Sequence, residues 1–308
     1  VHLTRPMCLR PLCAKRRFGS HQMDLTEEPK ILSIAPSFSC SLKCNGCYLT
    51  TDVSKAMRDA EKSDYYWERA MELAKRYDYD QIAMTLNPFP GAFDRMLTLA
   101  SKAKSLGLQV NVTWSPSMDF HRLGEMIGLV DILSISIDHE RTWKGYWDKM
   151  SNDETIVAGA SVSRILSSDM HMNYNVLWTP ELFEQARNGE DLRLPDPAGR
   201  FTVQHLLMKP LSLYGDLEKF QEDYLYVMNN VIPIAGDGDK HIGDPAYGTI
   251  LGVNRCPGER MIDLDPMGMA RICPENPVYY DADNLSKLET IMREGLPQCG
   301  GTCTCLLS

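Results

Sequence analysis

Between residues 81 and 87 the chain reads QIAMTLN, so that Ile82, Met84 and Leu86 alternate with Gln81, Thr85 and Asn87. Successive side chains leave a strand on opposite sides, so this two-residue period marks a strand with one apolar and one polar face. The period recurs along the chain. Val110, Val112 and Trp114 oppose Gln109, Asn111, Thr113 and Ser115. Leu133, Ile135 and Ile137 oppose Ser134, Ser136 and Asp138, and Met172, Tyr174 and Val176 oppose His171, Asn173 and Asn175. Together with two further segments, the pattern predicts strands over Ile31–Ser37, Gln81–Asn87, Leu108–Ser115, Val130–Asp138, His171–Trp178 and Phe201–Lys209. Between strands the period lengthens to that of a helix. Trp67, Ala70, Met71, Ala74 and Tyr77 share one face of Tyr65–Tyr77, and Phe93, Met96, Leu97, Ala100 and Ala103 share one face of Phe93–Leu106, which Gly107 ends.

Strands alternating with helices imply parallel pairing through right-handed crossovers, an α/β fold. Six such units suit a barrel or partial barrel better than a flat sheet. A parallel sheet covered on both faces carries unbroken apolar runs. These strands alternate instead, so their apolar face lies under the helices and their polar face lines an interior that holds something polar. A half-exposed antiparallel sheet would alternate too, but crossover segments of about a dozen residues or more argue for parallel strands. Beyond residue 245 the pattern changes. MIDLDPMGMARIC (261–273) reads as a hairpin turning at Asp265-Pro266-Met267-Gly268, a helix is predicted over Asp283–Glu294, and the chain ends in CGGTCTC followed by three residues. This end reads as a small appendage organised by cysteines rather than by a core.

The length of 308 residues accommodates one large α/β domain with such an appendage. No run of about twenty apolar residues is present to span a membrane. A net charge of −9 repels phosphate backbones and disfavours nucleic acid as a partner. The first 23 residues carry Arg5, Arg10, Lys15, Arg16 and Arg17 and no acid before Asp24. They read either as a transit peptide or, preferably, as a disordered or misassigned extension ahead of Met23. The expected organisation is therefore 1–29 as extension, 30–245 as barrel and 246–308 as cysteine-rich extension.

Ten cysteines is a high count, and eight fall into two groups: Cys40, Cys44 and Cys47, then Cys256, Cys273, Cys299, Cys303 and Cys305. Cys8 and Cys13 lie in the N-terminal extension and receive no role. In a large chain without a secretory signal this grouping favours metal binding in a reducing compartment, hence the cytoplasm, over a disulfide framework. Thiolates are the usual ligands of iron–sulfur clusters. Three of them in CX3CX2C spacing can bind three corners of a 4Fe–4S cluster, which leaves its fourth iron without a protein ligand. A zinc site would want a fourth ligand.

CSLKCNGCY, directly after the first strand of a strand–helix series, resembles the signature loop of the radical S-adenosylmethionine (radical SAM) enzymes. The resemblance covers about residues 31 to 215 in layout. It implies a partial (β/α)6 TIM-like barrel, a 4Fe–4S cluster on Cys40, Cys44 and Cys47, and S-adenosylmethionine on the open iron. A flavodoxin- or ferredoxin-type donor would supply the electron, and the 5′-deoxyadenosyl radical would abstract a hydrogen atom from substrate. Gly46 stands where many members have an aromatic residue, and Tyr48 is the substitute. NPFPG, from Asn87, replaces the usual Gly-Gly-Glu turn that holds the amino group of the cofactor. SISID resembles the fourth-strand pattern and brings Ser136 and Asp138 toward the cofactor, and Asn175 stands where a ribose- or carboxylate-binding residue is common. Each of these polar residues also reads as ordinary hydrogen bonding inside a barrel.

The CX11GX4C layout of Cys256, Gly268 and Cys273, with Cys299, Cys303 and Cys305 after it, resembles the SPASM and twitch extensions of that superfamily. It implies one auxiliary 4Fe–4S cluster, on Cys256, Cys273 and two of the last three cysteines, or on three ligands with an open site. A structural zinc site fits the same CX3C and CXC spacings. The implied activity is oxidation, crosslinking or maturation of a peptide or small molecule. The other classes are a non-catalytic iron–sulfur scaffold and a nucleic-acid or cofactor-biosynthesis enzyme of the same superfamily. A base near the barrel mouth would come from Asp138 or His205. His139 and Glu140 stand nearby but also read as loop charge, and His205 also reads as core packing.

Overall fold

The structure is a computed structural model, and it describes residues 29–41, 53–115, 120–138, 151–189, 201–207, 222, 241–242, 260–274, 276 and 278–297. Among the described residues, ten strands form one sheet in the order β10-β9-β8-β1-β2-β3-β4-β5-β6-β7. These are β1 (Ile31–Ile34), β2 (Gln81–Leu86), β3 (Gln109–Trp114), β4 (Ile132–Ile137), β5 (His171–Trp178), β6 (Phe201–Leu207), β7 (His241–Ile242), β8 (Met261–Leu264), β9 (Met269–Arg271) and β10 (Tyr280–Asp281). From β8 through β1 to β7 every pair is parallel, and β9 and β10 close one edge antiparallel. Six described helices are α1 (Lys55–Asp59), α2 (Asp64–Arg76), α3 (Ala92–Ser105), α4 (Asn152–Leu166), α5 (Pro180–Arg187) and α6 (Leu285–Glu294), and Phe120–Met126 forms a 3-10 turn. The architecture is an α/β partial barrel.

The predicted alternation is what the strands use. Ile82, Met84, Val110, Val112, Trp114, Leu133, Ile135, Tyr174 and Val176 are buried in one core with Trp67, Ala70, Met71 and Ala74 of α2 and Phe93, Met96 and Ala100 of α3. Several boundaries shift from the sequence reading, and two of the shifts have a visible cause. The first strand ends at Ile34 rather than Ser37, because Pro36 has no N–H for the ladder; the last bond on that edge runs from Ala35 N–H to Leu264 O at 3.0 Å. The fourth begins at Ile132 rather than Val130, which bridges to Ile127 instead of joining the sheet.

The hairpin forms as predicted, with Gly268 N–H donating to Asp265 O at 2.9 Å. It is not an appendage organised by cysteines alone. β8 lies parallel to β1, pairing Ile31 with Met261 and Ile34 with Leu264. Ile262, Leu264 and Ala270 of the hairpin and Leu288 and Met292 of α6 belong to the main core. Its alternating apolar residues bury themselves against the barrel helices as the other strands do. No described helix is long and apolar enough to cross a membrane.

Candidate functional site

Parallel strands direct the segments after their C-terminal ends to one edge of the sheet, where α/β ligand sites form. Cys40 lies on that edge, six residues beyond the last residue of β1, and is half-buried. The backbone leading to it is gripped by three separate elements. Arg95 of α3 donates from its guanidinium to Pro36 O at 2.9 Å. Asn87 at the end of β2 donates from Nδ2 to Ser37 O at 2.9 Å. Glu61, between α1 and α2, accepts from Phe38 N–H at 2.7 Å and from Ser37 Oγ at 3.0 and 3.1 Å. Beyond Cys40, Ser41 N–H donates to Pro88 O at 2.7 Å. Arg95 is itself held by Asp64 at 2.6 Å and Lys62 O at 3.2 Å.

The polar face of the strands is arranged in rows by register. Thr85, Thr113, Ser134, Asn173 and Thr202 are successive partners across β2 to β6, and two residues nearer the edge Ser136, Asn175 and Gln204 form the next row. At a strand rise of about 3.3 Å per residue the second row lies about 7 Å closer to the edge that carries Cys40. The amides are tied together: Ser134 Oγ donates to Asn111 Oδ1 at 3.2 Å, and Asn173 Nδ2 donates to Asn175 Oδ1 at 2.5 Å and to Ser134 Oγ at 3.4 Å. Asp138 follows β4 at the same edge and is buried. Of the predicted cofactor-binding residues, Asn87, Ser136, Asp138 and Asn175 thus gather at the Cys40 end. The Asn87 side-chain amide also spends a donor on the loop itself.

Cys44, Cys47, Tyr48, Cys256, Cys299, Cys303 and Cys305 lie outside the described residues, as do His139 and Glu140. His205 pairs in register with Val176, in the row of Tyr174 and Val203 rather than that of Asn175, and its side chain lies outside the described residues. Cys273 is half-buried and follows β9, which runs antiparallel to β8. Since Arg271 pairs with Asp263 and Asp263 with Ser33, Cys273 leaves the sheet at the opposite edge from Cys40.

Two groups of residues near these cysteines were not singled out from the sequence. One is the Glu61, Asn87 and Arg95 grip on the loop, of which only Asn87 was named. The other is a buried chain in which Ser33 Oγ donates to Asp263 Oδ1 at 2.6 Å, Arg271 Nε donates to Asp263 Oδ2 at 2.7 Å, and an Arg271 Nη donates to Tyr279 Oη at 3.0 Å. No local periodicity points to either. In the hairpin turn, burial pushes the Asp265 carboxyl above its ordinary range, against the N–H groups of Met267 and Met269 that favour its charge.

Soft thiolate donors select iron–sulfur clusters or zinc over hard cations, and the backbone around Cys40 is held from both sides. This part of the chain therefore fits a loop that ligates a cluster. Among the described residues, no three His, Cys, Asp or Glu side chains converge on a metal position.

No protein-family profile matches the chain, and no curated protein matches it in sequence. Solved structures do match it in shape. SuiB of Streptococcus suis, bound to S-adenosylmethionine, is similar at a TM-score of 0.53 with 14% identity, over 85% of this chain and 65% of SuiB. SuiB bound to its precursor peptide SuiA is similar at a TM-score of 0.54 with 15% identity, over 86% of this chain and 64% of SuiB. The chain thus spans slightly less than two thirds of the length of these relatives. The α/β partial barrel is the fold this chain shares with SuiB.

Proposed function

We propose that this protein is a radical SAM enzyme. Cys40, Cys44 and Cys47 hold a 4Fe–4S cluster whose remaining iron is left for S-adenosylmethionine, and the substrate is a peptide or small molecule that is oxidised, crosslinked or otherwise matured. The observation that carries this reading is the placement of Cys40, first of a CX3CX2C triad, on a gripped loop at the C-terminal edge of a partial barrel whose fold is that of SuiB. When bound, the reduced cluster and S-adenosylmethionine supply the 5′-deoxyadenosyl group that removes a hydrogen atom from substrate.

The chain's own residues supply position. Ser136, Asp138 and Asn175 present polar groups at the same edge, where they bind the cofactor, with Tyr48 beside the triad. Asn87 serves twice, through its side chain on the loop and through the backbone that replaces the Gly-Gly-Glu turn. Asp138, buried at the Cys40 edge, is the base, with His205 as the second candidate. The tied amides of Asn111 and Asn173, with the Ser134 hydroxyl between them, lie deeper and are oriented to accept a polar substrate. That SuiB was solved with a precursor peptide supports a peptide over other substrates. Cys256, Cys273 and two of Cys299, Cys303 and Cys305 hold an auxiliary 4Fe–4S cluster in a twitch-type extension, a role supported by Cys273 leaving the sheet at the edge away from Cys40. A flavodoxin- or ferredoxin-type donor in the cytoplasm supplies the electron.

The test is reconstitution without oxygen, followed by iron and sulfide counts and by measurement of 5′-deoxyadenosine formed under reduction. We expect a cubane signal that shifts on adding S-adenosylmethionine, and formation of 5′-deoxyadenosine that is abolished by Cys40→Ala, Cys44→Ala or Cys47→Ala. A cluster indifferent to S-adenosylmethionine would support a non-catalytic scaffold. Zinc in place of iron after loss of the N-terminal triad would overturn the auxiliary cluster.

A further inference from the structure

The segment from Pro36 to Phe38 is unusual in how it is held. Each of its three residues has a backbone group taken by a side chain from a different element: Pro36 O by Arg95, Ser37 O by Asn87 and Phe38 N–H by Glu61. The Glu61 carboxylate makes a second connection through Ser37 Oγ, which also accepts from Ser39 N–H at 3.0 Å. Ser37 and Phe38 are both buried. None of these contacts involves a cysteine. None of them therefore uses a thiolate that a metal group would need.

Metal binding to an unstructured loop must order that loop, and the cost is taken from the binding free energy. A loop already ordered by its own hydrogen bonds avoids that cost. Charge-assisted bonds from a carboxylate to backbone N–H and hydroxyl are the strong members of this set. They also converge two residues before Cys40. Glu61 acts where the sheet no longer does: the ladder bond from Ala35 to Leu264 holds the chain up to that point, and the strand ends there.

We propose that Glu61 is a positioning residue for the cysteine loop, acting with Asn87 and Arg95 to set residues 36–38, and through them Cys40, in the ligating conformation before any cluster arrives. The proposal rests on the radical SAM reading for its purpose but not for its geometry. Glu61 touches neither cluster nor cofactor; it acts through Phe38 and Ser37. Gln in its place keeps one acceptor oxygen for Phe38 N–H, whereas Ala keeps none.

The experiment compares wild type, Glu61→Gln and Glu61→Ala. The first readout is backbone hydrogen exchange of the 35–41 segment in metal-free protein. We expect the Phe38 amide to be protected in wild type, to exchange at least about tenfold faster in Glu61→Ala, and to stay near wild type in Glu61→Gln, with exchange in β2 and β3 unchanged. The second readout is the rate at which reconstituted protein loses iron to a chelator, expected to rise about tenfold in Glu61→Ala and to be largely restored in Glu61→Gln. Equal protection of Phe38 in wild type and Glu61→Ala would overturn the proposal, as would equal iron loss. A protected loop that takes up no cubane would instead leave the grip standing and defeat the radical SAM reading.

Discussion

Arg271 and Asp263 form an ion pair whose side chains are 4% and 3% exposed. A buried pair is poor evidence of stability in itself, because desolvation offsets the attraction, but removing one partner strands the other. Arg271→Met leaves Asp263 with only the Ser33 hydroxyl, and we expect it to cost about 3–5 kcal/mol in denaturant unfolding. Adding Asp263→Leu should recover most of that loss, since no buried charge then remains. At this scale the sequence was informative about types and faces. It marked Ser136, Asp138 and Asn175 as facing the interior, and the structure sets them on the edge that carries Cys40. It did not mark Glu61, because a carboxylate in a charged stretch, EKSD, looks like any solvated turn until Phe38 N–H is seen beside it.

The elements carry two further expectations. Gly268 closes the hairpin turn at φ +76, and a Cβ there would stand 3.0 Å from Tyr66 Oη. Tyr66 is not free to withdraw, because its hydroxyl donates to Ala282 O at 2.6 Å. Burial pushes that hydroxyl's pKa well above the ordinary phenol value, which favours its role as a donor. Gly268→Ala should therefore destabilise by about 1–2 kcal/mol or more, read as a drop in Tm. The second concerns the α2–α3 contact. Lys102 donates to Glu72 at 2.6 Å and holds that carboxyl below its ordinary value of 4.5. As pH falls the unfolded chain takes up this proton first, so the pair's contribution is complete above the ordinary value and fades below it. Lys102→Met should lower stability by about 0.5 kcal/mol near neutrality, with the gap from wild type closing in thermal melts as the pH drops below about 4. Element positions were readable to within a residue or two for α2, α3 and the middle strands, because helix and strand periods are written locally. The ends of β1 and β4 were not, because Pro36 and the Ile127–Val130 bridge end them for reasons the period does not contain.

At the scale of the whole molecule, the hairpin is joined to the cysteine loop through the segment after α1. Lys62 N–H donates to Pro266 O at 2.8 Å, and its neighbour Glu61 grips Phe38. Cys273, by contrast, leaves the sheet at the far edge. On the two-cluster reading, Cys273→Ala should lower bound iron by about four per chain and leave the signal that responds to S-adenosylmethionine in place. Loss of both signals together would show that the two cysteine groups do not serve separate clusters. By itself the amino-acid sequence determined the succession of strands and helices, the face each presents, and the spacing of the thiolates, since all of these depend on residues within a few positions of one another. Only the tertiary structure decided that the chain returns to lay β8 against β1, so that Ser33 meets Asp263 across 230 residues, and that Glu61, Asn87 and Arg95 meet at one loop. Those contacts depend on which sheet edge is left open once the local elements have packed, and no short window of sequence contains that choice.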